Sequence, residues 1–179
     1  MKDRTPLAQE EALVKQKPIA LLGLTVGFVA LAVGVPYAVH MLGGPALGRT
    51  FLPMHFFILC SGLLLGWQAG LAAGVLSPII SFGFSAMPPL PMLLPLTLEM
   101  SVYGLVSGLM ARHFRLNIWL SLAVALLSGR IVVAGAVLFL GIENPFSYFA
   151  STTSAGLPGI AIQLALLPFL VKLLEKRAA

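Results

Sequence analysis

FLPMHFFILCSGLLLGWQAGLAAGVLSPIISFGFSAMPPLPMLLPLTLEMSVYGLVSGLM, residues 51–110, decides the fold. It holds three apolar segments, broken at Gly66-Trp67-Gln68-Ala69-Gly70 and at Ser85-Ala86-Met87-Pro88-Pro89-Leu90-Pro91. The third segment carries one carboxylate, Glu99, in otherwise apolar surroundings. A carboxylate in hydrocarbon is costly to hold and marks a functional position by default.

The rest of the chain has the same character. Of 179 residues, 59% are hydrophobic and 9% charged, against about 25% charged in a soluble domain. So little polar surface cannot cover a water-soluble globule, so the bilayer is the solvent and one membrane domain is expected. Cys60 is the single cysteine and lies in an apolar run. It reads as a buried, inert thiol, and no disulfide framework exists.

Six helical spans are expected. Residues 1–17 are polar and mixed in charge, with Glu11 and Lys15 spaced to pair on one face of a short helix. The apolar run that follows is too long for an ordinary signal peptide, so this segment is expected on the mature protein. The first span starts at Pro18 and ends near Tyr37 or His40. The others are read at about 51–65, 71–84, 91–111, 117–140 and 156–174, the second and third short of the roughly 20 residues a crossing needs. The expected membrane domain covers 18–175, with a tail at 176–179.

The basic residues orient this bundle. With both termini in the cytoplasm, Lys2, Arg4, Lys15, Lys17, Arg112, Arg115, Lys172, Lys176 and Arg177 all fall inside, and Arg49 alone falls in an outer loop. This accounts for the net charge of +5 without nucleic acid. The outer loops are then 41–50, 85–90 and 141–155. Tyr148 and Phe149 in the last are read as interfacial anchors or as part of a lid over a site. Small residues recur at Gly23, Gly27, Ala30 and Gly34 on the first span, and at Gly70, Gly74, Ser77 and Ser81 on the third. Such stripes pack helices within a bundle or dock another membrane protein.

Three polar residues converge in depth. Counting from the expected outer helix ends at about 1.5 Å per residue, Glu99 lies roughly 12 Å down, Arg130 roughly 15 Å and Gln163 roughly 10 Å. His55 enters near the outer end of its span, Tyr103 shares a face with Glu99, and Asn144 stands in the 141–155 loop. These six are the candidate binding residues, with Met87, Pro88, Pro89 and Tyr148 as the lid. A Glu99–Arg130 pair that only locks the bundle is one reading; a pocket for a small polar molecule is the other. Arg130 suits a carboxylate or phosphate, and Glu99 and Gln163 suit hydroxyl, amide or amine groups. No Gly-x-Ser-x-Gly elbow, His-Glu-x-x-His or Walker sequence occurs, so no enzyme and no cofactor is expected. His40, His55 and His113 do not share a depth, so no metal centre is expected.

Pro53-Met54-His55, Gly62-x-x-x-Gly66-Trp67, Ser77-Pro78, Met87-Pro88-Pro89, Glu99-x-x-x-Tyr103-Gly104-x-x-x-Gly108 and Gly156-Leu157-Pro158-Gly159-Ile160-x-x-Gln163 resemble the substrate-binding S components of energy-coupling factor transporters. The resemblance covers nearly all of the chain beyond residue 18. It implies an all-α bundle of six transmembrane helices in a prokaryotic plasma membrane that captures a vitamin or related micronutrient from outside. It also implies two kinds of partner, a transmembrane coupling subunit and two cytosolic ATPases. Family members often carry alanines four apart on the first helix for that contact; here Gly23, Gly27, Ala30 and Gly34 take the place. A pantothenate-like ligand would suit Arg130 with hydrogen-bonding neighbours, and other vitamins remain open. The alternative is a small stand-alone secondary transporter or channel with Glu99 as proton carrier, although no inverted repeat is evident.

Overall fold

The computed structural model describes residues 6–142 and 144–178, with side chains described from 18 to 174 apart from 143 and 145. The expected Glu11–Lys15 pair and the basic residues Lys2, Arg4, Lys17, Lys176 and Arg177 lie outside the described side chains. Among the described residues the chain is helical throughout, in six helices: α1 (Pro6–Phe51), α2 (Pro53–Leu65), α3 (Trp67–Ser85), α4 (Leu90–Gly108), α5 (Ile118–Leu140) and α6 (Pro145–Ala178). Five stretches are long and apolar enough to cross a membrane; α2, with 13 residues, is shorter. Large apolar side chains such as Leu22, Leu42, Phe84, Ile131, Phe139 and Phe169 face outward, as expected of a multi-pass membrane protein.

The connections follow from local chemistry. α1 bends at Gly43 and Gly44, the latter at φ +70°, where glycine alone carries no steric cost. Pro45 then restarts the helix with its φ already set. This corrects the expected 41–50 loop: the segment is a helical arm folded back after the bend. α2 and α3 meet at the single residue Gly66, at φ +99°. α4 ends in a π-helical turn, Leu109–His113, from which Arg112 Nε donates to the Leu63 carbonyl at 2.7 Å. That bond satisfies one of the carbonyls α2 leaves open at its C-terminus. Residues 63–67 and 108–112 thus share one end of the bundle.

α2, α3 and α4 pack backbone to backbone. A Cβ built on Gly70 would overlap the carbonyl of Gly104, and one on Gly104 would overlap the carbonyl of Gly70. The Gly70, Gly74, Ser77, Ser81 stripe is buried accordingly, so on α3 small residues do pack helices. On α1 they do not. Its buried residues are Thr25, Val29, Ala32 and Pro36, whereas Gly23, Gly27, Ala30 and Gly34 are exposed. A Cβ on any of those three glycines would meet nothing within 4 Å. At 100° per residue the two sets lie on opposite faces of α1.

The largest departure from the sequence reading is α6. It begins at Pro145, not 156, so the expected 141–155 loop is mostly the first three turns of a helix. Asn144 is its N-cap: Oδ1 accepts from the backbone N–H of Phe146 at 2.9 Å and of Ser147 at 3.3 Å.

Candidate functional site

A cavity of about 460 Å³ opens at the end of the bundle away from the Arg112–Leu63 contact. Its wall is built from the folded-back arm of α1, the start of α2, the α3–α4 connection, and facing positions of α4, α5 and α6. Polar groups come from His40 and Arg49 on α1, His55 on α2, Ser81 on α3, Glu99 on α4, Arg130 on α5, and Tyr148, Ser151 and Thr152 on α6.

Glu99 and Arg130 form the centre of the polar cluster. Arg130 Nη1 lies 3.2 Å from Glu99 Oε1, and the two residues are buried, Arg130 7% and Glu99 1% exposed. Tyr103 donates its hydroxyl to the same carboxylate oxygen at 2.8 Å, the pairing expected of positions four apart on one helix. Gly129 makes room for it, since a Cβ there would overlap the Tyr103 ring. The sequence Gly129-Arg130 therefore admits the phenol and delivers the guanidinium in consecutive residues. On its other side Arg130 Nη1 donates to Thr152 Oγ1 at 3.4 Å, while Thr152 donates to the Tyr148 carbonyl at 2.7 Å. His55 packs its ring 5.5 Å from that of Tyr103. Its Nδ1, and Nε of Arg130, are buried without a hydrogen-bond partner.

The six candidate residues separate into two groups. Glu99, Arg130 and His55 line the cavity together with Met87, Pro88, Pro89 and Tyr148. Tyr148 is a buried wall residue packed with Val133 and Val137. Tyr103 is fully buried behind Glu99 and is not part of the lining. Asn144 caps α6 and is exposed. Gln163 is the main correction. It does not line the cavity; its Nε2 donates instead to the Leu52 carbonyl at 3.4 Å, bracing the α1–α2 junction. Leu52 there adopts a left-handed conformation, φ +50°.

The reason is the start of α6. Eleven more residues of helix displace Gln163 by about 16 Å along its axis, and Thr152 takes the level of Arg130. Thr152, Ser151, Arg49 and His40 are the lining residues the sequence did not single out. No family model, curated protein or solved structure matches the chain.

Proposed function

We propose that this chain is the substrate-binding membrane subunit of an energy-coupling factor type importer, capturing a vitamin or related micronutrient from outside a prokaryotic cell. The observation that supports it most is the cavity. At about 460 Å³ it falls within the range of small-molecule sites, roughly 300–1,000 Å³. Its apolar wall of Leu52, Met54, Met92 and Leu96 carries a compact polar cluster. His55 Nδ1 and Arg130 Nε are the kind of buried groups that a ligand satisfies. Glu99 is held by Arg130 and Tyr103 at a fixed position, so both acceptor and donor groups are presented in a set geometry to a hydroxyl, amide or carboxylate.

The exposed stripe of α1 supports the second half of the reading. Gly23, Gly27, Ala30 and Gly34 spend a helix face on nothing inside the protein. Beside Ala30 and Gly34 runs an apolar groove of about 530 Å³ between α1 and α3, bordered by Val26, Tyr37, Ile80 and Phe84. A small-residue face next to a groove suits a close-packed transmembrane helix, which we assign to the coupling subunit that brings the two ATPases.

One co-purification experiment tests both halves. Protein extracted gently from its native membrane should carry a small polar metabolite, identified by mass spectrometry, together with the coupling and ATPase subunits. Gly27→Leu should lose the subunits and keep the metabolite. Loss of the metabolite alone would place the stripe in folding rather than docking. Proton-driven uptake by the isolated chain in vesicles, with no bound metabolite, would point instead to a stand-alone transporter.

A further inference from the structure

The charge on the cavity wall is unbalanced. Glu99 and Arg130 neutralise each other at 3.2 Å, but Arg49 also lines the cavity, and among the described residues no carboxylate besides Glu99 does. Among the described residues, two guanidiniums against one carboxylate leave an excess of one positive charge. Arg49 also stands apart from the other arginines. Arg112 belongs to the opposite end of the bundle, where it bonds the Leu63 carbonyl, and Arg115 follows it in the α4–α5 connection.

Position on the helix accounts for part of this. Arg49 lies in the last turn of α1, where a cation suits the helix dipole. The dipole does not explain why the arm turns that side chain to a cavity. The bend at Gly43 and Gly44 does so, and two contacts hold the arm there. A Cβ on Gly159 would press on the backbone of Thr50 and Phe51, and Gln163 bonds the Leu52 carbonyl. The residues after Arg49 are therefore pinned to α6, which keeps Arg49 on the same cavity wall as Glu99 and Arg130.

Resting on the capture reading above, we infer that Arg49 is a second cationic contact of this site and that the ligand is a small organic monoanion, a carboxylate rather than a neutral or cationic molecule. A monoanion restores neutrality to the wall, and a guanidinium matches the two oxygens of a carboxylate. The polar remainder of the ligand then falls to Glu99, Arg130 and His55. A neutral ligand would leave the excess charge uncompensated, and a cation would increase it.

The test uses the full chain in lipid nanodiscs, freed of bound metabolite, and calorimetry with matched pairs: pantothenate and panthenol, nicotinate and nicotinamide, biotin and biotinamide, with thiamine as the cation. One acid should bind, and its neutral counterpart should bind about 10- to 100-fold more weakly, the span of a hydrogen bond to a charged group. Arg49→Gln should weaken the acid by a similar factor and leave the neutral counterpart unchanged, with Arg49→Lys recovering part of the loss. Arg49 is exposed, so these variants should fold. Equal affinity for acid and neutral counterpart, tightest binding of thiamine, or an acid indifferent to Arg49→Gln would overturn the charge assignment while leaving small-molecule capture standing. Binding of no probe, with no metabolite released from the native protein, would remove the capture reading, and this inference with it.

Discussion

Arg130→Ala should lower the stability of the purified protein by about 3–5 kcal/mol, the cost of leaving one member of a buried ion pair without its partner. Glu99 is 1% exposed, and with the guanidinium gone the Tyr103 hydroxyl is the donor left to it among the described residues. Thr152 also loses its contact from α5. The decisive comparison is the double variant Arg130→Met with Glu99→Gln. Removing both charges while keeping volume is often close to neutral, and the amide oxygen introduced by Glu99→Gln can still accept from Tyr103. Thermal unfolding in detergent should show a large drop for the single variant and recovery of most of it in the double. Equal drops would mean that charge balance is not what the pair contributes.

The second large effect lies where α3 crosses α4. Gly104→Leu should abolish recovery of monodisperse protein, because its Cβ would collide with the backbone of Gly70 rather than with a side chain able to turn away. Overpacking a core against movable neighbours typically costs about 1–3 kcal/mol; two helix backbones forced apart should exceed that. Gly135→Leu on α5 is the matched control. Gly135 is exposed, a Cβ there meets nothing within 4 Å, and the variant should behave as wild type on size exclusion. Normal folding of Gly104→Leu would show that the helices can separate without loss.

These two sites also show what can be read from the chain alone. Glu99 and Arg130 are legible because both helix ends they are counted from are well marked, by Pro89-Leu90-Pro91 and by Leu140-Gly141. Each is also the strongly polar residue of its span, so equal depth implies contact. Gln163 fails on the same arithmetic with a misplaced origin. Residues 145–155 hold five serines and threonines and read as loop by hydropathy. Yet Ser151, Thr152 and Ser154 bond carbonyls three or four residues back in their own helix, which makes them tolerable there. Asn144-Pro145 is the available signal: an N-cap residue followed by proline at the first helical position.

Arg49 and His40 are hidden for a different reason. A Gly43-Gly44-Pro45 run announces a break but not the direction the chain takes after it. That direction is set by tertiary contacts: Gly159 admits the arm, and Gln163 holds its end. The same holds for the α1 stripe. Its spacing is plain, but which face of α1 the bundle takes depends on Thr25, Val29, Ala32 and Pro36 finding partners, and both faces of this helix are apolar enough to be buried.

The most direct measurement is the affinity of the co-purifying metabolite for the Glu99→Gln variant, by calorimetry on protein whose unfolding transition matches wild type. The substitution keeps the shape and the bond from Tyr103 but removes the charge that faces the cavity. If the Glu99–Arg130 cluster binds the ligand, affinity should shift by about 10-fold or more. Unchanged affinity in the folded variant would mean that the pair is structural and that the ligand binds elsewhere.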